Sequence, residues 1–388
     1  MMSLLSLIMP TRNRAEYLAA GVGFFLATSR EDVELIVCDA SDTHAACQQA
    51  LEPWKQDTRL RVIDNSLETT GHLSSMAENW SRALDAAKGQ WVIIIGDDDV
   101  LDPEVVPFIG RLGQAAPQIE AMTWHRAHFD IGIDVPREAK IPMGTQITLA
   151  AAKDSLLKQA TWSNEKRPPT SLCSPYHGAV KRDALLRLRA TRGRWFAFSI
   201  PDYDLGWSLA WQTQQFAISE RPFSITGVSP KSNSYSVRNE AKRSEYMANW
   251  QRESRHLDGW GVTTDPFLFT LPMLVLGFRN AFCAAYGIQQ GIHLPHLVST
   301  LANSLQNQED EDSFEQHRAA SVQYLTQHFG QDFGFASLHR RIRPPEPYAG
   351  LAGDQLVIPN SVFGGDIRRF AEVAFGLVRP VSQLFTKA

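Results

Sequence analysis

Short, nearly unbroken apolar runs recur early in the chain, separated by stretches in which apolar residues return every three or four positions. The first kind reads as strands buried on both faces and the second as amphipathic helices. This pattern predicts strands at Leu4–Met9, Leu35–Cys38, Arg61–Ile63 and Trp91–Ile95. Helices are predicted between them at Ala15–Thr28, Ala45–Trp54 and Met76–Ala87. Such alternation argues for an α/β fold with a mainly parallel twisted sheet flanked by helices. Farther on, Ala121–Trp124 and Gly178–Val180 read as strands, and Leu149–Gln159, Lys181–Arg189 and Tyr203–Trp211 as helices. Between Gly132 and Pro169 the pattern weakens among Pro136, Pro142, Pro168 and Pro169, which predicts loops around the one helix near Leu149. Beyond about residue 245 the chain becomes mainly helical, and the basic, proline-rich stretch Arg340–Pro347 reads as a linker. No internal repeat is present.

Composition narrows the class without defining the chemistry. A chain of 388 residues has room for one large domain and a second element. Its apolar content of 44% beside 21% charged residues is ordinary for a soluble globular protein. A formal charge of −4 argues against a broad nucleic-acid surface, which needs a basic stripe. Cys38, Cys47, Cys173 and Cys283 lack metal-site or paired spacing, as expected in a reducing, cytoplasmic compartment. The apolar start, Met1–Met9, has no basic leader or small-residue cleavage site and reads as the first strand. Phe267–Phe278 is apolar but falls short of the roughly 20 residues a spanning helix needs, so a buried helix is expected. Ile367, Phe370, Ala374, Leu377, Val378, Val381 and Phe385 share one helical face interrupted near Pro380. That face either docks on the body or makes peripheral membrane contact.

The chemistry concentrates where the most apolar strand ends. Trp91–Ile95 is followed by Gly96 and then by Asp97, Asp98 and Asp99. Three carboxylates together raise one another's pKa, a cost that a divalent cation removes while leaving positions open for substrate phosphates. In open α/β sheets ligands bind beyond the carboxyl ends of the strands, which is where this cluster falls. Asp102, Pro103 and Glu104 read instead as a helix start, with Asp102 as N-cap. No glycine-rich phosphate loop follows the first strand, so phosphates would be held by metal or side chains. The loops Pro10–Arg14 and Asp39–Asp42 end two other strands of the same sheet and can converge with the aspartates on one ligand.

Six segments in register resemble family 2 glycosyltransferases, the inverting enzymes of the A-type nucleotide-sugar fold. They are Leu7–Arg14, Leu35–Ser41, Ala83–Val92, Gly96–Pro103, the pair Val180–Leu185 and Arg194–Phe196, and Pro201–Ala210. The likeness spans roughly residues 4–235. It implies a catalytic domain over 1–245, with nucleotide-sugar binding in 1–105 and the acceptor side in 106–245, followed by a helical extension over 246–388. It further implies that Pro10, Arg12 and Asp39 hold the nucleotide base. Asp39 would accept a ring N–H, and Arg12 would stack on the ring or reach a phosphate. The alternatives are a turn carboxylate and a solvated surface arginine. Asp98 is expected to hold the metal, Mn2+ or Mg2+, with Asp99 as a supporting carboxylate and Asp97 facing the ribose or diphosphate.

Inverting transfer needs a base for the acceptor hydroxyl, and Asp202 occupies the matching position, with Asp204 as the fallback. Read alone, Asp202 is an N-cap for its helix. Two departures from the family pattern are Gly96 and Pro201, where the family often carries acids. The implied partners are a nucleotide-sugar donor and a glycan or lipid-linked acceptor, in cytoplasmic surface-polysaccharide assembly that can touch the inner face of the membrane. The competing reading is a catalytically degenerate member of the fold that binds glycans or protein partners. His177 is open to an acceptor-pocket or a buried structural role, Trp80 reads as core, and Lys231–Tyr235 as a flap over the diphosphate.

Overall fold

The computed structural model describes residues 3–132, 137–238, 240–254, 256–257, 265–308, 310–342 and 346–384. In chain order its strands are β1 (Leu5–Thr11), β2 (Val33–Asp39), β3 (Leu60–Asp64), β4 (Trp91–Ile94) and β5 (Val100–Leu101). There follow β6 (Ala121–Trp124), β7 (Ala127–Asp130), β8 (Glu138–Pro142), β9 (Ile147–Ala151) and β10 (Gly178–Lys181). The last are β11 (Gln215–Ser219), β12 (Ser224–Val228), β13 (Gly350–Ala352) and β14 (Gln355–Pro359).

An eight-stranded sheet runs in the order β3-β2-β1-β4-β10-β6-β11-β9. Six of its strands point one way, while β10 and β9 run against them. The apolar runs behave as the period-two geometry of a strand requires. Leu5, Leu7 and Met9 of β1 join Trp91 and Ile93 of β4 in one core with the helices Ala15–Leu26 and Val105–Ala115. Ile8, Ile36, Val92 and Ile94 face the opposite core, against the helices Met76–Ala86, Arg182–Arg192 and Pro201–Gln212. Both faces are covered, which is why these strands lack an alternating polar face.

A second sheet, β13-β14-β8-β7-β12-β5, stands beside the first. Its hydrophobic face packs Phe129 of β7 on Phe370 of the helix Ile367–Leu377, with ring centroids 4.9 Å apart. Ile367, Phe370, Ala371 and Ala374 are therefore buried, so this face of the C-terminal helix docks on the body. Phe385 lies outside the described residues.

The region after residue 245 is mostly helical, with helices Leu271–Tyr286, Leu294–Gln306 and Glu311–Phe329. Trp250, Phe269 and Leu274 form a small cluster there, but most of its buried side chains join the core of the large sheet. Phe278 and Phe282 close on Trp207 with centroids 5.2 and 5.3 Å away, and belong to the same core as β1 and β4. The apolar stretch from Phe267 thus enters a buried helix, and among the described residues no helix is long and apolar enough to cross a membrane.

Three details differ from the pattern reading. Strands β8 and β9 occupy part of the stretch between Gly132 and Pro169 where loops were expected. β9 is an edge strand whose side chains are mostly exposed or half-buried, so it carries no apolar alternation. The hairpin β13–β14 follows the expected linker and pairs with β8, more than two hundred residues earlier. Finally, Asp102 and Asp202 are not N-caps. The first helix begins at Val105, and the second begins at Pro201, which places Asp202 inside its first turn.

Candidate functional site

The parallel register aligns Thr11 with Asp39, and Asp39 with Asp64, across β1, β2 and β3. Ile95 continues β4 by donating its N–H to Ile8. The loop Gly96–Asp99 thus emerges on the same carboxyl edge as Thr11 and Asp39. Thr11 donates its hydroxyl to Asp97 Oδ2 at 2.6 Å, tying the two loops together.

The three aspartates are all buried but differ in what holds them. Asp99 is fully engaged. Gly96 N–H donates to its Oδ2 at 2.6 Å, Gly227 N–H to its Oδ1 at 2.9 Å, and His177 Nε2 lies 2.9 Å from Oδ2. Burial alone would raise its pKa, but His177 and the two backbone donors overcome this and hold the carboxyl below the usual range.

Asp97 meets Arg14, whose Nε donates to Oδ2 at 3.0 Å. Arg14 Nη2 lies 2.8 Å from Oδ1 without the alignment of a hydrogen bond, so this buried oxygen is left without a donor. Asp98 receives a single side-chain bond, from Ser229 at 2.8 Å. Burial and the neighbouring carboxylates push both Asp97 and Asp98 above the usual range, although Arg14 opposes the shift. An under-satisfied pair of buried carboxylates is what a hard divalent cation would relieve. The donor set therefore fits the metal expected at Asp98 and its neighbours, with Asp99 already committed to His177.

Two glycines make the arrangement sterically possible. A Cβ at Gly227 would stand 1.7 Å from the backbone carbonyl of Asp98, so β12 could not come close enough to donate to Asp99. A Cβ at Gly96 would stand 2.9 Å from Asp99 Oδ2 and 3.0 Å from Asp98 Oδ1. The glycine at the family's frequently acidic position is therefore the space into which these carboxylates fold back. His177 is buried, hydrogen-bonds Ser224 through Nδ1, sets Nε2 2.9 Å from Asp99 without hydrogen-bond alignment, and holds a left-handed backbone with φ of 52°. The structure gives it the structural role of its two readings.

Asp202 acts on the same tyrosine as this cluster. Tyr176 feels Asp99, Asp98 and Asp202, and burial with those charges pushes its phenol well up. Burial also raises the Asp202 carboxyl to about 6, against the pull of nearby backbone N–H groups and of Arg126. Asp204, the fallback, is completely buried and occupied: Arg192 donates to Oδ1 at 2.7 Å, and Ala197 and Phe198 N–H groups donate to Oδ2 at 2.6 and 2.9 Å. Of the two, Asp202 alone is half-buried and so open to a substrate.

The expected base-binding residues are dispersed over the same edge. Pro10 is buried within β1 opposite Cys38. Arg12 pairs with Glu253 at 2.6 Å, a residue of the helix Glu240–Ser254. Tyr246 of that helix feels Glu253, Arg14 and Asp202, so the helix lies along the rim of the site. Trp80 packs on Tyr176 at 5.5 Å and on Phe196 at 6.3 Å, in keeping with a core role. Lys231, from the expected flap, pairs with Glu16 at 2.5 Å and donates to Asn13 carbonyl at 3.3 Å. Asn233–Arg238 beyond it is helical.

Asp39 has no exposed surface. Its Oδ1 accepts from the Ser41 N–H at 3.0 Å and from the Ser41 hydroxyl, and its Oδ2 lies 2.7 Å from His44 Nδ1. Asp39, His44 and Cys47 lie close enough together to hold a metal ion. Burial and Asp39 push the Cys47 thiol strongly up, while His44 and Ser41 already hold the Asp39 carboxylate.

Residues that sequence reasoning did not single out are Thr11, Arg14, Tyr176, Gly227 and Ser229. Only Thr11 and Arg14 carried a usable signal, since they fall within a loop already placed at the ligand edge.

The first four strands and the aspartate loop fall within a family model, whereas Asp202 lies beyond it. Residues 6–188 match the model described as Glycosyl transferase family 2. Over those residues the chain is similar to family 2 glycosyltransferases, as its motifs led us to expect. Among solved structures, S. aureus TarS 1–349 in complex with UDP-GlcNAc is similar at 15% identity and a TM-score of 0.44, over 83% of this chain and 84% of that one. The mannosyltransferase PcManGT from Pyrobaculum calidifontis, in complex with GDP-Man and Mn2+, is similar at 15% identity and a TM-score of 0.41. There the match covers 87% of this chain and 83% of the other. At such scores neither likeness bears on individual residues. No curated protein matches the chain in sequence.

Proposed function

We propose that the protein is an inverting glycosyltransferase that moves a sugar from a nucleotide-diphosphate donor to a hydroxyl of a glycan or lipid-linked acceptor. The observation that carries the reading is a buried, under-satisfied carboxylate pair, Asp97 and Asp98, at the carboxyl edge of the sheet, beside a half-buried carboxylate with a raised pKa, Asp202, whose charge acts on the same Tyr176.

In this reading Asp98 holds a divalent cation, Mn2+ or Mg2+, with Asp97 beside it and Asp99 keeping the loop in place. The cation, when bound, would neutralise charge developing on the departing diphosphate. Arg14, next to Asp97, is positioned to add a fixed positive charge on the same side. Asp202 takes the acceptor proton as the hydroxyl attacks. Its raised pKa makes it a stronger base than an exposed aspartate while leaving it ionised at neutral pH. Arg12 reaches the donor only after leaving Glu253.

Residues 1–105 would supply the donor half and 106–245 the acceptor half. The remainder buttresses them, the helix Glu240–Ser254 lying along the rim. We place the activity in the cytoplasm, in surface-polysaccharide assembly. Exposed Val373 and Leu377, near Arg368 and Arg369, are the part of the C-terminal helix available to a membrane surface. The test is release of nucleoside diphosphate from a panel of nucleotide sugars, with and without Mn2+ or Mg2+. Metal-dependent turnover that Asp202→Asn abolishes is the expected result. Turnover unchanged by that substitution would remove Asp202 from the role of base.

A further inference from the structure

A nucleotide-diphosphate site on this sheet edge needs a group that reads the base, and the residue expected to do so, Asp39, is already engaged. A carboxylate offers about four acceptor positions. Three of those of Asp39 are taken by the Ser41 N–H, the Ser41 hydroxyl and His44 Nδ1, and both oxygens are engaged. Its side chain has no exposed surface. A ring N–H from a base would have to open a path to a buried oxygen that already holds a donor.

His44 is placed differently. It follows β2 in the loop that Ala40 and Ser41 stitch to β1: Ala40 N–H donates to the Thr11 carbonyl at 3.0 Å, and Asn13 N–H to the Ser41 hydroxyl at 2.7 Å. Through Thr11 this loop is one hydrogen bond from Asp97. The His44 ring is only 12% exposed, and its Nδ1 faces Asp39 at 2.7 Å and Asp64 at 3.9 Å. Its other nitrogen, Nε2, has no hydrogen-bond partner among the described residues. Nor is it one of the buried polar atoms that lack one, so it reaches solvent.

With Nδ1–H directed at the buried Asp39 carboxylate, Nε2 of the neutral ring is the acceptor. We propose that His44, oriented by Asp39, is the specificity-determining residue of the donor site. Resting on the nucleotide-sugar reading above, it selects bases that carry a ring imide or amide N–H, uracil or guanine. Cytosine and adenine present a lone pair at the corresponding ring nitrogen and would set acceptor against acceptor. Asp39 then acts as a positioning residue that never touches the base.

The test is titration calorimetry with UDP, GDP, CDP, ADP and N3-methyl-UDP in the presence of Mn2+, at about pH 8, above the ordinary imidazole range. Wild-type protein is expected to prefer UDP or GDP over CDP, ADP and the methylated nucleotide by about tenfold or more, the usual penalty for an unpaired polar group. His44→Phe, which keeps a ring but removes the acceptor, should collapse that preference. His44→Gln, whose amide oxygen can accept, should restore part of it. Discrimination unchanged in His44→Phe, with all five affinities as in wild type, would overturn the assignment while leaving the nucleotide site intact. Failure of every nucleoside diphosphate to bind wild type would instead overturn the nucleotide-site reading, and this assignment with it.

Discussion

Two regions of the molecule bury aspartates, and they treat them in opposite ways. In the loop after β5 and within the helix Pro201–Gln212, Asp102 and Asp204 each meet an arginine at 2.7 Å. Asp204 receives two backbone donors besides, and Asp102 one, from Glu104. At the carboxyl edge of the large sheet, Asp98 has one hydroxyl, Asp97 keeps an oxygen with no donor, and Asp202 has no arginine in contact. Burial raises the pKa in both regions. Burial alone therefore does not separate the two sets; incomplete satisfaction does.

The sharpest way to break this comparison is to exchange the consequences of mutation. Asp204→Ala leaves the Arg192 guanidinium buried and unpaired, and should cost about 3–5 kcal/mol of stability, read by urea unfolding. Asp98→Asn should cost little stability, because it removes like-charge repulsion, yet lower transfer by about a hundredfold or more. A large stability loss in Asp98→Asn would erase the distinction between the two regions. Gly227→Ala joins them. Its methyl group would strike the Asp98 carbonyl, so both stability and transfer should fall, and metal should not restore transfer.

Much of this division was legible beforehand, but unevenly. Trp91–Ile95 announced a doubly buried strand, and the loop that ends it could be placed at the ligand edge from topology alone. The roles within the triple could not. Asp99 is committed by His177 and Gly227, which lie 78 and 128 residues away in the chain, and no local pattern points to either. The same holds for Ser229 on Asp98. Asp202 was readable as an acidic helix start, yet its separation from Asp204 depends on Arg192 and the Ala197–Phe198 backbone. Asp39 shows the reverse failure. Its position in the strand was plain, but the donors that hold it fold back from Ser41 and His44. The hairpin β13–β14 escaped for the reason that nonlocal pairs generally do, since its partner β8 is remote in sequence.

Smaller effects sharpen the comparison further. With the Asp202 carboxyl at about 6, transfer should rise with pH below that value and level off above it, read from the pH dependence of the rate. Stability should run the other way. The folded protein holds more proton on Asp202 than the unfolded chain between 3.8 and about 6, so unfolding free energy falls as pH rises through that window. Asp202→Asn should flatten its share of that slope. The smallest expected effect lies at the rim. Arg12–Glu253 is a partly exposed pair worth at most about 1 kcal/mol, so Glu253→Gln should tighten nucleotide binding by no more than about fivefold in calorimetry.

The central claim, that the aspartates after β4 hold a nucleoside diphosphate through a divalent cation, meets its most direct test in one calorimetric titration. UDP and GDP are titrated into wild type and Asp98→Asn, each with Mn2+ and then with excess chelator. The structure leads us to expect tight binding by metal-loaded wild type, and loss of that binding on chelation and in Asp98→Asn alike. For either nucleotide, equal affinity with both proteins under both conditions would contradict the claim.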